Sequence, residues 1–132
     1  MTDHVQDISR RGIMGGAALV VLIGIFGPVS GAQFNPAVTL GVWLRGKCDT
    51  KDVFPYMASQ VAGAVIAAMT VKFLQGHGGT VSEVPADRAL VAEFLGTFAL
   101  VWVVLNVATT KATAGNSFYG AAIGLTVTAM VL

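Results

Sequence analysis

Ser30-Gly31-Ala32-Gln33-Phe34-Asn35-Pro36-Ala37-Val38-Thr39-Leu40-Gly41 places a helix start inside a stretch otherwise as apolar as lipid. Asn35 suits an N-cap and Pro36 the first helical position, and Ala37 to Leu44 tolerate a helix before Gly46 stops it. A helix of roughly ten residues rises about 15 Å, half of a ~30 Å hydrocarbon core. It cannot span, so the segment is predicted to dip in as a re-entrant half-helix. Its first turn leaves N–H groups free at mid-membrane depth, where irregular backbone is tolerated only if packed in protein or facing a water-filled cavity. Taken alone, these residues also fit a turn followed by a short amphipathic helix at the membrane surface.

Composition narrows the choice. Hydrophobic residues make up 55% of the chain and charged residues 11%, which points to a membrane protein. The net charge of +1 comes from scattered basic residues, so no patch suggests nucleic acid or an acidic substrate. Cys48 is the single cysteine and can form neither an internal disulfide nor a thiolate metal site. His4 and His77 have no acid or cysteine at ligand spacing and read as solvated. No nucleophile with its base, phosphate loop or metal set is present, so neither an enzyme nor a cofactor is expected. The opening MTDHVQDISRR is too acidic and polar for a signal-peptide n-region and reads as a polar segment.

Four apolar stretches flank the central motif: Ile13 to Val29, Val53 to Leu74, Ala89 to Thr109 and Phe118 to Leu132, the last cut short. Gln75 to Arg88 and Thr110 to Ser117 read as polar connections. Gly12 and Gly16, and again Gly120 and Gly124, are spaced four apart, while Gly63, Ala64 and Ala67 form another small face. Such faces let helices approach closely. Basic residues Arg45, Lys47, Lys51 and Lys111 would lie on one side and Arg10, Arg11, Lys72 and Arg88 on the other, so charge asymmetry does not orient the chain. Glu93 is the one carboxylate within a span, and an intramembrane acid is a functional candidate, as a proton relay or as a structural acceptor.

SGAQFNPAVTLG with an apolar span on each side resembles the first pore loop of the aquaporin family, also called major intrinsic proteins. The resemblance extends through Gln60 and Gly63, through Ala92-Glu93-Phe94-Leu95-Gly96-Thr97-Phe98, which looks like the opening of the family's second half, and through Gly124-Leu125-Thr126. Gly16 and Gly124 occupy matching places in two halves of an inverted repeat. Asn35 follows Gly16, and the same step from Gly124 leads past Leu132, so a second Asn-Pro-Ala is not reached.

The resemblance implies an all-α membrane fold: a partial right-handed aquaporin-like bundle of four transmembrane helices and one re-entrant half-helix. Residues 1–132 would be a single domain, incomplete for want of the first helix, the second NPA loop and the last helix. It further implies a non-enzymatic channel for passive transport of water or small neutral solutes such as glycerol. The protein would be multi-pass in the cell membrane, in contact with the lipid bilayer, as a homotetramer of separate pores. Asn35, Pro36 and Ala37 would form the pore motif, with Asn35 donating to the permeant, and the carbonyls of Gly31, Ala32, Gln33 and Phe34 would form a ladder of acceptors. A half-helix N-terminus carries roughly +0.5 of a charge and so repels cations and protons. Matched by spacing, Gly15 and Val131 fall at the family's selectivity filter. Water-selective members tend to carry an aromatic and a histidine there, so these residues predict a wider, more apolar constriction. The resemblance favours a structural role for Glu93 as a buried acid accepting from the pore loop of its own half. The competing expectation is a truncated, non-conducting membrane protein that associates with other membrane helices. A small transporter with a broken helix is a third, against which Glu93 stands alone as an intramembrane charge.

Overall fold

A computed structural model describes residues 2–76 and 84–131. Five α-helices and one short 3-10 turn account for them, with no strand among the described residues: α1 Thr2–Ser30, α2 Pro36–Leu44, α3 Thr50–Gln75, α4 Ala86–Thr109, the turn Lys111–Thr113, and α5 Tyr119–Val131. Arg10–Ser30 of α1, all of α3 and all of α4 are long and apolar enough to cross a membrane. At 13 residues α5 rises only about 20 Å, so three spans meet the length requirement where the sequence suggested four. The polar opening continues α1 as helix from Thr2. Extending an existing helix adds one hydrogen bond per residue fixed, so the polar residues need no nucleus of their own.

The helices form an open arc. In spatial order α3 packs on α2, α2 on α4, α4 on α5, and α5 on α1, with no packing between α1 and α4 among the described residues. The buried apolar residues come from four of the five helices: Ile23 of α1, Val38 and Val42 of α2, Leu100 and Val104 of α4, and Ile123 of α5. Residues 61–75 of α3 are exposed throughout. In water so much bare apolar surface would be an anomaly, whereas in a bilayer it faces hydrocarbon as apolar as itself.

Glycine sets the closest helix contact. A methyl group added at Gly124 would lie 2.8 Å from the Gly16 carbonyl oxygen and 3.0 Å from the Val20 nitrogen, and one at Gly120 would lie 3.2 Å from the Val20 oxygen. The backbones of α1 and α5 therefore touch along Gly16, Val20, Gly120 and Gly124. The pairs run antiparallel, with Gly16 beside Gly124 and Gly27 beside Tyr119.

Candidate functional site

Between α1 and α2 the chain passes through a short turn, residues 31–35. Gly31 (φ +70°) and Ala32 (φ +48°) adopt left-handed conformations in succession, and the Gly31 N–H closes the last turn of α1 on the Gly27 carbonyl at 2.9 Å. Glycine takes this geometry freely, while Ala32 holds it at a cost of order 1 kcal/mol or more. The result aims the chain back between the helices.

Asn35 then starts α2. Its backbone is extended (φ −140°, ψ 129°), and its Oδ1 accepts the Ala37 N–H at 2.8 Å. That bond fixes the amide's orientation, because an N–H can only meet the oxygen. The Nδ2 has no hydrogen-bond partner among the described residues, and Asn35 is one of the residues that line the cavity. Pro36 occupies the first helical position, where its missing N–H leaves nothing unsatisfied. At the far end Gly46 (φ +69°) donates to the Trp43 carbonyl at 2.8 Å, and the Trp43 indole N–H donates to Thr50 Oγ1 at 3.0 Å.

A polar clamp holds the half-helix. Gln60 on α3 donates through Nε2 to the Gln33 carbonyl oxygen and, at 2.8 Å, to Thr39 Oγ1. Thr39 is fully buried, and its hydroxyl donates in turn to the Asn35 carbonyl at 3.4 Å. One turn earlier on α3, the Tyr56 hydroxyl donates to the Ser30 carbonyl at 2.7 Å. Of the four loop carbonyls singled out in the sequence, that of Gln33 thus already accepts a bond from protein. Neither Thr39 nor Tyr56 stood out in the sequence, since both depend on partners more than twenty positions away. Replacing Gln60 by Leu should lower stability by roughly 1–3 kcal/mol, because a buried carbonyl and a buried hydroxyl lose their donor. Thermal unfolding in detergent checks this, and a melt matching that of the unaltered chain would remove the clamp from the account.

The inner face of the arc bounds a half-open cavity of about 820 Å³. Its apolar wall is built in rows one helical turn apart: Leu19, Ile23 and Gly27 on α1, Tyr119, Ile123 and Val127 on α5, with Val38, Val42, Leu100 and Val104 between them. Gly31, Ala32, Gln33, Phe34 and Asn35 line it as well. One mouth is polar, bordered by Lys47, Lys111, Thr110, Thr113 and Asn116. The connection there is self-bonded. Thr110 and Thr113 hydroxyls each donate to the Asn106 carbonyl at 2.7 Å, and Asn116 Nδ2 donates to the Val107 carbonyl at 2.7 Å. These bonds satisfy carbonyls that the end of α4 would otherwise leave open.

The other candidates lie elsewhere. Gly15 is exposed, and a methyl group added to it would meet nothing within 4 Å. Val131 is the last residue of α5, and its side chain lies outside the described residues, as do the side chain of His4 and all of His77. Glu93, expected as a buried acid, is exposed: with Ala92, Gly96 and Met130 it borders a separate notch of about 390 Å³. Met130 of α5 packs against Gly96, where an added methyl group would lie 2.8 Å from its Cε, while the Glu93 side chain stays exposed. No group of three or more possible metal ligands occurs among the described residues.

Cys48 lies in the turn after α2. Burial foremost, then the carboxylates of Asp52 and Asp49, push its thiol up from the ordinary value. Only the thiolate alkylates. At mildly alkaline pH Cys48 should therefore react with iodoacetamide more slowly than a free thiol, and Asp52→Asn should speed the reaction by removing one of the charges that oppose ionisation. Equal rates for the two proteins would contradict the electrostatic contribution.

Comparison with known sequences adds independent information. The family described as major intrinsic protein matches residues 1–132. The chain is similar to aquaporin NIP1-2 of Arabidopsis thaliana, with 35% identity over 140 residues covering 96% of this chain and 47% of that protein. It is 32% identical over 136 residues to glycerol uptake facilitator protein-like 6 of Lactiplantibacillus plantarum, covering 96% of this chain and 62% of that one. Aquaporin AqpM of Methanothermobacter thermautotrophicus is 34% identical over 132 residues, covering 91% and 52%. The chain spans about half the length of the curated relatives it matches.

Proposed function

Because this chain belongs to the major intrinsic protein family and is a multi-pass integral membrane protein, we propose that it forms the wall of a channel passing water and small uncharged solutes such as glycerol. The observation that carries this reading is the Asn35 amide. Its oxygen is committed to the Ala37 N–H, its Nδ2 is left without a protein partner, and the residue lines a cavity whose remaining wall is largely aliphatic. Such a site suits a neutral molecule with an oxygen lone pair. A cation would meet the positive end of the α2 dipole. Transport is passive and non-enzymatic in this reading. Gly31, Ala32 and Phe34 supply carbonyl acceptors beside the Gln33 carbonyl that Gln60 already holds, and Glu93 has a structural role. Residues 1–132 act as one transmembrane unit, within a cell membrane and a homotetramer of separate pores.

Stopped-flow light scattering on liposomes carrying the protein, under water and glycerol gradients, tests the proposal. Relaxation faster than that of empty vesicles supports conduction, and equal rates with insertion confirmed would sink it for this chain. One observation favours a second reading, association with other membrane helices without conduction: residues 61–75 of α3 are exposed throughout, and the cavity is open on one side. Inserted protein that gives no flux but comes down with a tagged second copy from detergent would support it.

A further inference from the structure

We propose that the Tyr119 hydroxyl is a second polar station for a hydroxylated permeant, set between the polar mouth of the cavity and Asn35. The inference rests on the channel reading above and assigns a specificity-determining residue within it. Tyr119 opens α5 and is half-buried, packed against the buried apolar cluster. Its phenol end reaches across to α1 at Gly27, where an added methyl group would lie 2.7 Å from the hydroxyl oxygen and 3.3 Å from the nearest ring carbon. Glycine at that position makes the room that the phenol fills.

The hydroxyl has no hydrogen-bond partner among the described residues, Tyr119 lines the cavity, and the buried side-chain polar atoms left without a partner are Gln33 Oε1 and Gln60 Oε1, so the phenol oxygen is an accessible one. The other tyrosine, Tyr56, contrasts with it by donating to the Ser30 carbonyl at 2.7 Å. An accessible hydroxyl set in a largely aliphatic wall keeps both its donor and its acceptor open to a solute. Along its own row Tyr119 is followed by Ile123 and Val127, and the facing row on α1 is Leu19, Ile23 and Gly27, so it is the only hydroxyl in either row. Its depth follows from topology. Gly27 lies in the last turns of α1, and the chain enters the bundle from there to reach Asn35.

A phenol both donates and accepts. Water moving in file brings its own neighbours to bond with, whereas a polyol fills the cross-section and must find partners on the wall. Loss of the hydroxyl should therefore slow glycerol more than water. Phe in place of Tyr119 keeps the ring and its packing, and should reduce glycerol permeability roughly three- to tenfold, the range that one neutral hydrogen bond supports, with water changed less than about twofold.

The chain contains only two tyrosines, which makes a direct test possible. Tyrosine labelled with carbon-13 at the ring carbon bearing the hydroxyl would give two signals in detergent, assigned by Tyr119→Phe, with Tyr56 as the internal control. Added glycerol should move the Tyr119 signal and leave Tyr56 in place. A Tyr119 signal that moves no more than Tyr56 overturns the proposal whatever the flux. So does an unaltered protein that conducts glycerol no faster than Tyr119→Phe. A Tyr119 signal that responds in a protein that conducts neither water nor glycerol would sink the channel reading while retaining the hydroxyl as a solute site.

Discussion

Asn35→Asp should abolish most of the neutral-solute flux, by tenfold or more, while leaving the fold intact. The two atoms of the amide do separate work. Oδ1 caps α2 through the Ala37 N–H, and a carboxylate caps a helix as well as an amide does. A negative charge at a helix N-terminus even gains roughly 0.3–1 kcal/mol from the dipole. The substitution therefore retains the cap and removes only the Nδ2 donor, putting an acceptor with a full charge in its place. A permeant oxygen then meets repulsion where it met a donor, and the cavity changes from selecting against cations to holding one. Asn35→Ala is the informative partner: it removes cap and donor together and should lower stability by about 1 kcal/mol. Liposome flux and thermal unfolding measured on all three proteins separate the effects. Full permeability in Asn35→Asp would show that this amide does not face the permeant.

The largest structural effect is expected at the α1–α5 contact. Leucine at Gly124 or at Gly16 should prevent the two helices from closing, because the obstruction is backbone. A methyl at Gly124 would already lie 2.8 Å from the Gly16 carbonyl oxygen, and one at Gly16 would lie 2.9 Å from that of Gly124. Overpacking against mobile side chains costs about 1–3 kcal/mol, and here the whole of α5 must shift, so the upper end or beyond is expected. Gly15→Leu is the matched control, since an added methyl there meets nothing within 4 Å and Gly15 is exposed. Unfolding in increasing dodecyl sulfate, followed by circular dichroism, should place Gly16→Leu and Gly124→Leu far below the unaltered protein and Gly15→Leu close to it. Equal midpoints for all three would show that α1 and α5 do not pack as described.

How far the sequence could be read depends on the range of each interaction. The half-helix was legible almost to the residue, because its punctuation is local: Asn35 caps, Pro36 fits the first position, and Gly46 supplies the left-handed exit. The small faces at Gly16 and Gly124 were legible as faces, but the spacing could not say that α1 meets α5 rather than another helix. Thr39 was missed altogether. It sits in a run of helix-tolerant residues, and only Gln60, twenty-one positions on, reveals why a hydroxyl should be the most buried side chain in the fold. Tyr119 was missed for the same reason, its counterpart being the vacant side of Gly27. The polar start of α1 was legible as polar but not as helix, because residue preference weighs less than continuation of a helix already begun. Glu93 differs again, since burial is a property of what covers a residue and its own neighbours in the chain cannot supply that.

The order of the arc has a consequence for biosynthesis. The most intimate helix pair joins the first and last elements, so Gly16 waits for a partner more than one hundred residues later in the chain. At roughly 5–20 residues per second that wait lasts on the order of 5–20 s. Throughout it the polar turn before Asn35 must be sheltered by something made sooner, and the bonds from Tyr56 and Gln60 are the ones that become available first. They act as a temporary splint as well as a permanent clamp. A nascent chain stalled before Tyr119 should leave a cysteine substituted at Gly12, which is buried in the completed fold, open to alkylation, and release past Val131 should protect it. If protection precedes the emergence of α5, the first helix has another partner while it waits.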